Sequence, residues 1–194
     1  AELINATYNS LSSLIIGKLY PAKMLGYYTK GQEFPNVVVS NINSSIQAVM
    51  FPAYAKCQDN KPQVKQIMRR ALVTSSFLVF PAMAGLAVIA EPLIELLLTE
   101  KWLMCVPFLQ IFCAVYALWP IHTVNLQAIN ALGRSDVFLR LEIVKKIVGV
   151  SMLAVTVPIG IYAMAMGMVV TGVISTFINA YPNKLLLNYS FTEQ

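Results

Sequence analysis

The chain has 194 residues, of which 57% are hydrophobic and only 12% charged, with a mean hydropathy of +0.64 and a formal net charge of +5. Ordinary soluble domains carry about 25% charged residues, so this composition excludes a soluble globular protein. Two tracts carry no charge at all, 32 residues from 102 to 133 and 37 residues from 147 to 183, and a bilayer core about 30 Å thick needs roughly 20 apolar helical residues per crossing.

These tracts show no period-2 alternation, so the spans are predicted to be helices rather than barrel strands. The expected fold class is all-α, a polytopic membrane bundle of about six helices near residues 3–17, 25–55, 71–98, 103–132, 137–157 and 159–180, together forming one unit over 1–194. The first segment is short and carries Asn5, Asn9, Ser10, Ser12 and Ser13. The second holds Pro35 and a polar stripe that includes Asn36, Ser40, Asn43 and Gln47 at helical spacing, which places them on one face. The third has 20 uncharged residues from 71 to 90 with Pro81 near the centre. The fourth contains Pro107 and Pro120, followed by His122, Asn125, Gln127 and Asn130. The last two divide the long tract at Pro158 to Gly160.

Proline inside a membrane helix frees a carbonyl that must find another partner, so Pro35, Pro81, Pro107 and Pro120 predict kinks facing protein or water. Small residues at Ala82, Ala84, Gly85 and Ala87, and at Ala163, Ala165 and Gly167, predict close helix approach. If the segments alternate, one face collects Lys56, Lys61, Lys65, Arg69, Arg70, Arg134, Arg140, Lys145, Lys146 and Lys184. The other collects Lys18, Lys23, Lys30 and Lys101. By the positive-inside rule the richer face is cytoplasmic. The net positive charge is therefore topological and does not point to nucleic acid. The chain begins at Ala1 without a basic secretory start, and it reads as a fragment of something longer.

Polar side chains facing lipid are costly, so clusters of them point to an interior or a water-filled pathway. The candidate substrate contacts are Asn5, Asn9, Asn43, Gln47, His122 and Asn125. Interhelical hydrogen bonding without a pathway is the alternative reading of the same set. His122 is the only histidine and could titrate near neutrality; a hydrogen bond to the backbone near Pro120 is its plainer role. Lys30, close to Glu33 at the head of the second segment, is placed to meet an anionic group at a cavity mouth, or else it snorkels to the interface. Cys57, Cys105 and Cys113 have no CxxC spacing, so neither metal nor disulfide is expected. No catalytic triad, HExxH or phosphate loop occurs, and no cofactor is implied. Transport is the class that remains.

Several stretches together resemble the carboxyl half of the bacterial polysaccharide flippases, in the superfamily that also holds the multidrug exporters. They are Ile15-Ile16-Gly17-Lys18 with Leu25-Gly26-Tyr27-Tyr28, then Phe51-Pro52-Ala53, Pro81 to Gly85 leading to Glu91-Pro92-Leu93-Ile94, Lys101-Trp102, and Asn130 to Arg134. The resemblance implies one lobe of a two-lobe inner-membrane transporter with the first lobe missing. It also implies alternating access of an undecaprenyl-diphosphate-linked oligosaccharide for surface polysaccharide, with Lys30 near the diphosphate and no enzymatic step. A drug or cation antiporter of the same superfamily would want a carboxylate in the membrane, and none falls in the uncharged tracts. A membrane glycosyl- or acyltransferase would want an acidic neighbour for His122, which the sequence does not supply.

Overall fold

The computed structural model describes residues 14–57 and 60–189. Asn5 and Asn9 lie outside them. Among the described residues every regular element is helical. The first is a helical stretch at 14–19 (α1), followed by α2 (Ala22–Lys56), α3 (Lys61–Val88) and the short α4 (Ala90–Leu98). A 3-10 segment (Glu100–Cys105) leads to α5 (Val106–Ala117), α6 (Trp119–Ala131), α7 (Ser135–Thr156) and α8 (Ile161–Leu187).

The tract expected as one helix over 103–132 is instead broken into the 3-10 segment, α5 and α6. Pro107 and Pro120 stand in the first turns of α5 and α6, where a missing N–H costs nothing because the first donors of a helix have no internal partner. They start helices and do not kink them. Pro35 and Pro81 do lie inside helices, and of the two only Pro35 is buried. α6 closes on a left-handed Gly133 (φ 71°), with Arg134 N–H donating to Ile129 O at 3.2 Å and Gly133 N–H to Asn130 O at 3.0 Å. That pattern satisfies the last carbonyls and turns the chain sharply into α7.

The α5–α6 pair is the hub, packing against α2, α3 and α8, while α7 leans mainly on α8. Two apolar clusters stack along the bundle. One gathers Tyr27, Val79, Met83, Ile94, Cys105, Phe108 and Ile161. The other joins Tyr54, Met68, Val124, Ala131, Leu187 and Tyr189, so the ends of α2, α6 and α8 meet the start of α3. This second end carries Lys56, Lys61, Lys65, Arg134 and Lys184, and Lys65 Nζ donates to Asn188 O at 2.8 Å. At the opposite end Tyr27 OH donates to Lys101 O at 3.2 Å, and Lys23 Nζ sits 5.7 Å from the Tyr27 ring centre. Lys56, Lys61, Lys65, Arg134 and Lys184 thus lie at the end of the bundle opposite Lys23 and Lys101, the arrangement the positive-inside rule requires.

Among the described residues three helical stretches are long and apolar enough to cross a membrane, Lys61–Val88, Glu100–Ala131 and Ile161–Leu187. Their outer faces leave Phe77, Val88, Leu185 and many other large apolar side chains exposed, a surface that suits lipid and not water. Close packing is confined to particular seams. A Cβ on Gly31 would meet Phe108 Cβ at 2.6 Å and Leu109 N at 2.8 Å, so α2 and α5 touch backbone to side chain. Gly167 serves α8 against Met152 and Thr156 of α7 in the same way. Gly85, expected at a packing face, has nothing within 4 Å of its Cβ position.

Candidate functional site

A cavity of about 410 Å³ opens between α6, α7 and α8. His122 and Trp119 reach it from α6, Glu142, Lys145 and Lys146 from α7, and Thr171 and Ser175 from α8. The depth of this site follows from helix rise. Lys145 lies ten residues into α7, roughly 15 Å from its start at 1.5 Å per residue. His122 lies nine residues before the end of α6, roughly 14 Å from the same end of the bundle. Charged and imidazole groups therefore meet inside the bundle, well away from the helix ends.

Lys145 Nζ donates to Glu142 Oε1 one helical turn away, and their side chains are only 14% and 5% exposed. A charge removed from water is tolerated when an opposite charge and hydrogen bonds replace the lost hydration. Lys146 adds a second cation to the lining. Two lysines against one carboxylate leave the wall with a net positive charge.

His122 packs by a rung of hydrogen bonds and not against its own backbone, because Pro120 at the helix start opens no gap to fill. Its Nδ1 is 3.0 Å from Asn179 Nδ2 of α8. One turn further along, Asn183 Nδ2 donates to Asn125 Oδ1 at 2.7 Å, and Asn125 Nδ2 donates to Ile121 O at 2.8 Å. Asn125 is fully buried. It belongs to the α6–α8 seam, where each such polar contact is worth about 0.6 kcal/mol, and it does not line the cavity.

The sequence-predicted α2 residues sit elsewhere. Lys30 Nζ donates to Glu33 Oε2 at 2.6 Å with side chains 39% and 55% exposed, so its charge is met within its own helix. Asn43 is buried with Oδ1 lacking a hydrogen-bond partner, whereas Gln47 is exposed. The exposed polar face of α2 is offset from the expected stripe. It carries Glu33, Asn41 and Ser44, and the last two bond back to Val37 O at 2.7 Å and Ser40 O at 2.8 Å.

Charge counting groups Lys145 and Lys146 with the basic face of the bundle, which hides their place in the cavity. Both lie inside α7. Their signal was the i,i+3 spacing of Glu142 and Lys145 among Leu139, Leu141, Ile143, Val144 and Ile147, a paired charge flanked on both sides by apolar residues.

Residues 1–107 match the family described as "Polysaccharide biosynthesis protein". The lipopolysaccharide biosynthesis protein WzxC of Escherichia coli (strain K12) is 28% identical over 144 residues, 74% of this chain and 29% of WzxC. An uncharacterized membrane protein in the cps region of Klebsiella pneumoniae is 27% identical over 181 residues, 93% of this chain and 37% of that protein. The teichuronic acid biosynthesis protein TuaB of Bacillus subtilis (strain 168) is 26% identical over 136 residues, 70% of this chain and 28% of TuaB. The chain thus spans between 28% and 37% of the length of these relatives. No solved structure matches it.

Proposed function

The chain belongs to the polysaccharide biosynthesis protein family of multi-pass bacterial inner-membrane proteins, and on that premise we propose that it is one lobe of a lipid-linked oligosaccharide flippase. The missing lobe completes the central cavity, and the substrate crosses by alternating access without any covalent step. The supporting observation is the cavity between α6, α7 and α8, where Lys145 and Lys146 present net positive charge inside the bundle beside hydroxyl, indole and imidazole groups. A diphosphate needs a cation there, and a glycan needs hydrogen-bonding and stacking partners.

In this reading Lys145 and Lys146 meet the diphosphate, with His122, Thr171, Ser175 and Trp119 against the sugars. Lys30 and the exposed Gln47 on α2 are offered to the absent lobe. Lys30 stays held by Glu33 until substrate competes for it.

The test is surface polysaccharide in a strain lacking its own flippase, complemented by the complete transporter at matched membrane levels. Lys146→Gln, and the charge-neutral pair Glu142→Gln with Lys145→Gln, should each lower output about tenfold or more, as expected for a buried contact to a charged group. Lys101→Gln, at the opposite end, should lower it little. Equal output from all three overturns the assignment.

A second reading has one specific observation in its favour. Glu142 is the buried membrane carboxylate that a drug or cation antiporter of the superfamily requires. Its pairing with Lys145 weighs against exchange. If Glu142→Gln abolished resistance to cationic compounds while polysaccharide output held, the antiporter reading would replace the first.

A further inference from the structure

A second concavity, of about 660 Å³, runs between α2 and α3 and shares no residue with the cavity. Its walls are Ile42, Ile46, Val49 and Met50 of α2 with Ile67 and Leu78 of α3. The polar side chains along it are turned into their own helices. Asn41 Nδ2 donates to Val37 O at 2.7 Å, Ser45 Oγ to Asn41 O at 3.0 Å, and Ser75 Oγ to Ala71 O at 2.6 Å. With their hydrogen bonds already made, the trough presents hydrocarbon.

One end is different. Arg70 and Thr74 line the trough and also a neighbouring pocket of about 440 Å³ that includes Gln66 and Arg69. Both arginines are exposed, and among the described residues neither has a carboxylate within ion-pair distance. Their depth is set by the sequence. The 20 uncharged residues from 71 to 90 span about 30 Å as a helix, the whole hydrocarbon thickness. Arg69 and Arg70 therefore stand where hydrocarbon ends and lipid phosphates begin, on the basic end that faces the cytoplasm.

We propose that this groove binds an anionic phospholipid of the cytoplasmic leaflet, its phosphate between Arg69 and Arg70 and one acyl chain along the trough toward Leu78. A guanidinium pairs with phosphate oxygens in a bidentate fork, and an acyl chain is the apolar partner that the neighbouring trough lacks. An apolar protein helix laid in the same place would leave both arginines without a counter-charge. The inference stands apart from the transport reading, because it is read as binding.

The protein is purified in detergent and titrated with dioleoyl phosphatidylglycerol or dioleoyl phosphatidylcholine, and bound lipid is counted by native mass spectrometry. Two cations near a surface should favour phosphatidylglycerol by about 30-fold. Arg69→Gln with Arg70→Gln should bring it down to the phosphatidylcholine level. Val49→Trp, which fills the trough from an exposed position, should reduce both lipids. Thermal melting checks that these surface variants remain folded. Equal retention of the two lipids by the unaltered protein, or a preference that survives the double arginine change, overturns the proposal. Competition by glycerol phosphate as strong as that by phosphatidylglycerol would also overturn it, by showing a free-anion site in place of a lipid site.

Discussion

The cavity between α6, α7 and α8 and the groove between α2 and α3 place cations in a membrane helix bundle by opposite means. In the cavity, Lys145 is buried and held by Glu142, so the fold itself supplies the counter-charge. In the groove, Arg69 and Arg70 are exposed at the membrane edge, so water or lipid must supply it. The difference teaches that burial decides cost. An exposed cation remains hydrated, whereas one enclosed by protein must be neutralised by its neighbours.

The largest effect should come from breaking the buried pair. Glu142→Leu strands Lys145 in the bundle and should cost about 3–5 kcal/mol of stability, while Arg70→Leu should cost less than about 1 kcal/mol. Equilibrium unfolding of the purified protein in mixed detergent and denaturant measures both. Adding Lys145→Leu to Glu142→Leu should recover most of the loss, since two apolar residues leave no orphan charge. A single change as mild as Arg70→Leu would erase the distinction between the two regions.

A middle-sized effect should separate the seams behind each region. Gly31→Ala forces a methyl to within 2.8 Å of Leu109 N, a backbone atom of α5 that cannot swing away. It should cost about 1–3 kcal/mol by overpacking. Gly167→Ala meets the flexible Met152 side chain at 3.0 Å and Thr156 Cγ2 at 3.1 Å, while helix propensity returns roughly 0.5–1 kcal/mol, so it should cost less than Gly31→Ala. Melting temperatures of the two variants, side by side, show whether α2 is seated more rigidly than α7.

The smallest effect belongs to a pair that neither region uses. Arg134 Nε donates to Asp136 Oδ1 at 2.9 Å across the exposed start of α7. That hydrogen bond holds the Asp136 carboxyl down to about 2 from its ordinary 3.8. A depressed carboxylate stabilises the fold fully above its ordinary value and stops doing so as pH falls through about 2. Across neutral pH its contribution is flat and screened by solvent. Asp136→Asn should leave the melting curve at neutral pH unmoved, and a measurable shift would mean that charge placement matters at the surface as much as in the cavity.

Long uncharged tracts were enough to read membrane helices from the sequence, because the free energy of placing a side chain in hydrocarbon depends first on its own polarity. The opposite placement of Lys65 and Lys101 followed from counting charges in chain order. Gly167 in a helix seam was equally legible, since small residues permit close approach wherever they face a neighbour.

What the sequence left open depends on which neighbour is faced. Pro120 starts a helix and does not bend one, because α5 ends just before it. Gly85 faces open space, and Lys30 pairs with Glu33 beside it. Local polarity determined that this chain inhabits a membrane as helices and which of its ends is basic. Only the tertiary structure decided that Glu142, Lys145 and Lys146 share a cavity with His122, because the residues that neutralise and surround a buried charge come from helices distant in sequence, and their meeting is fixed by packing.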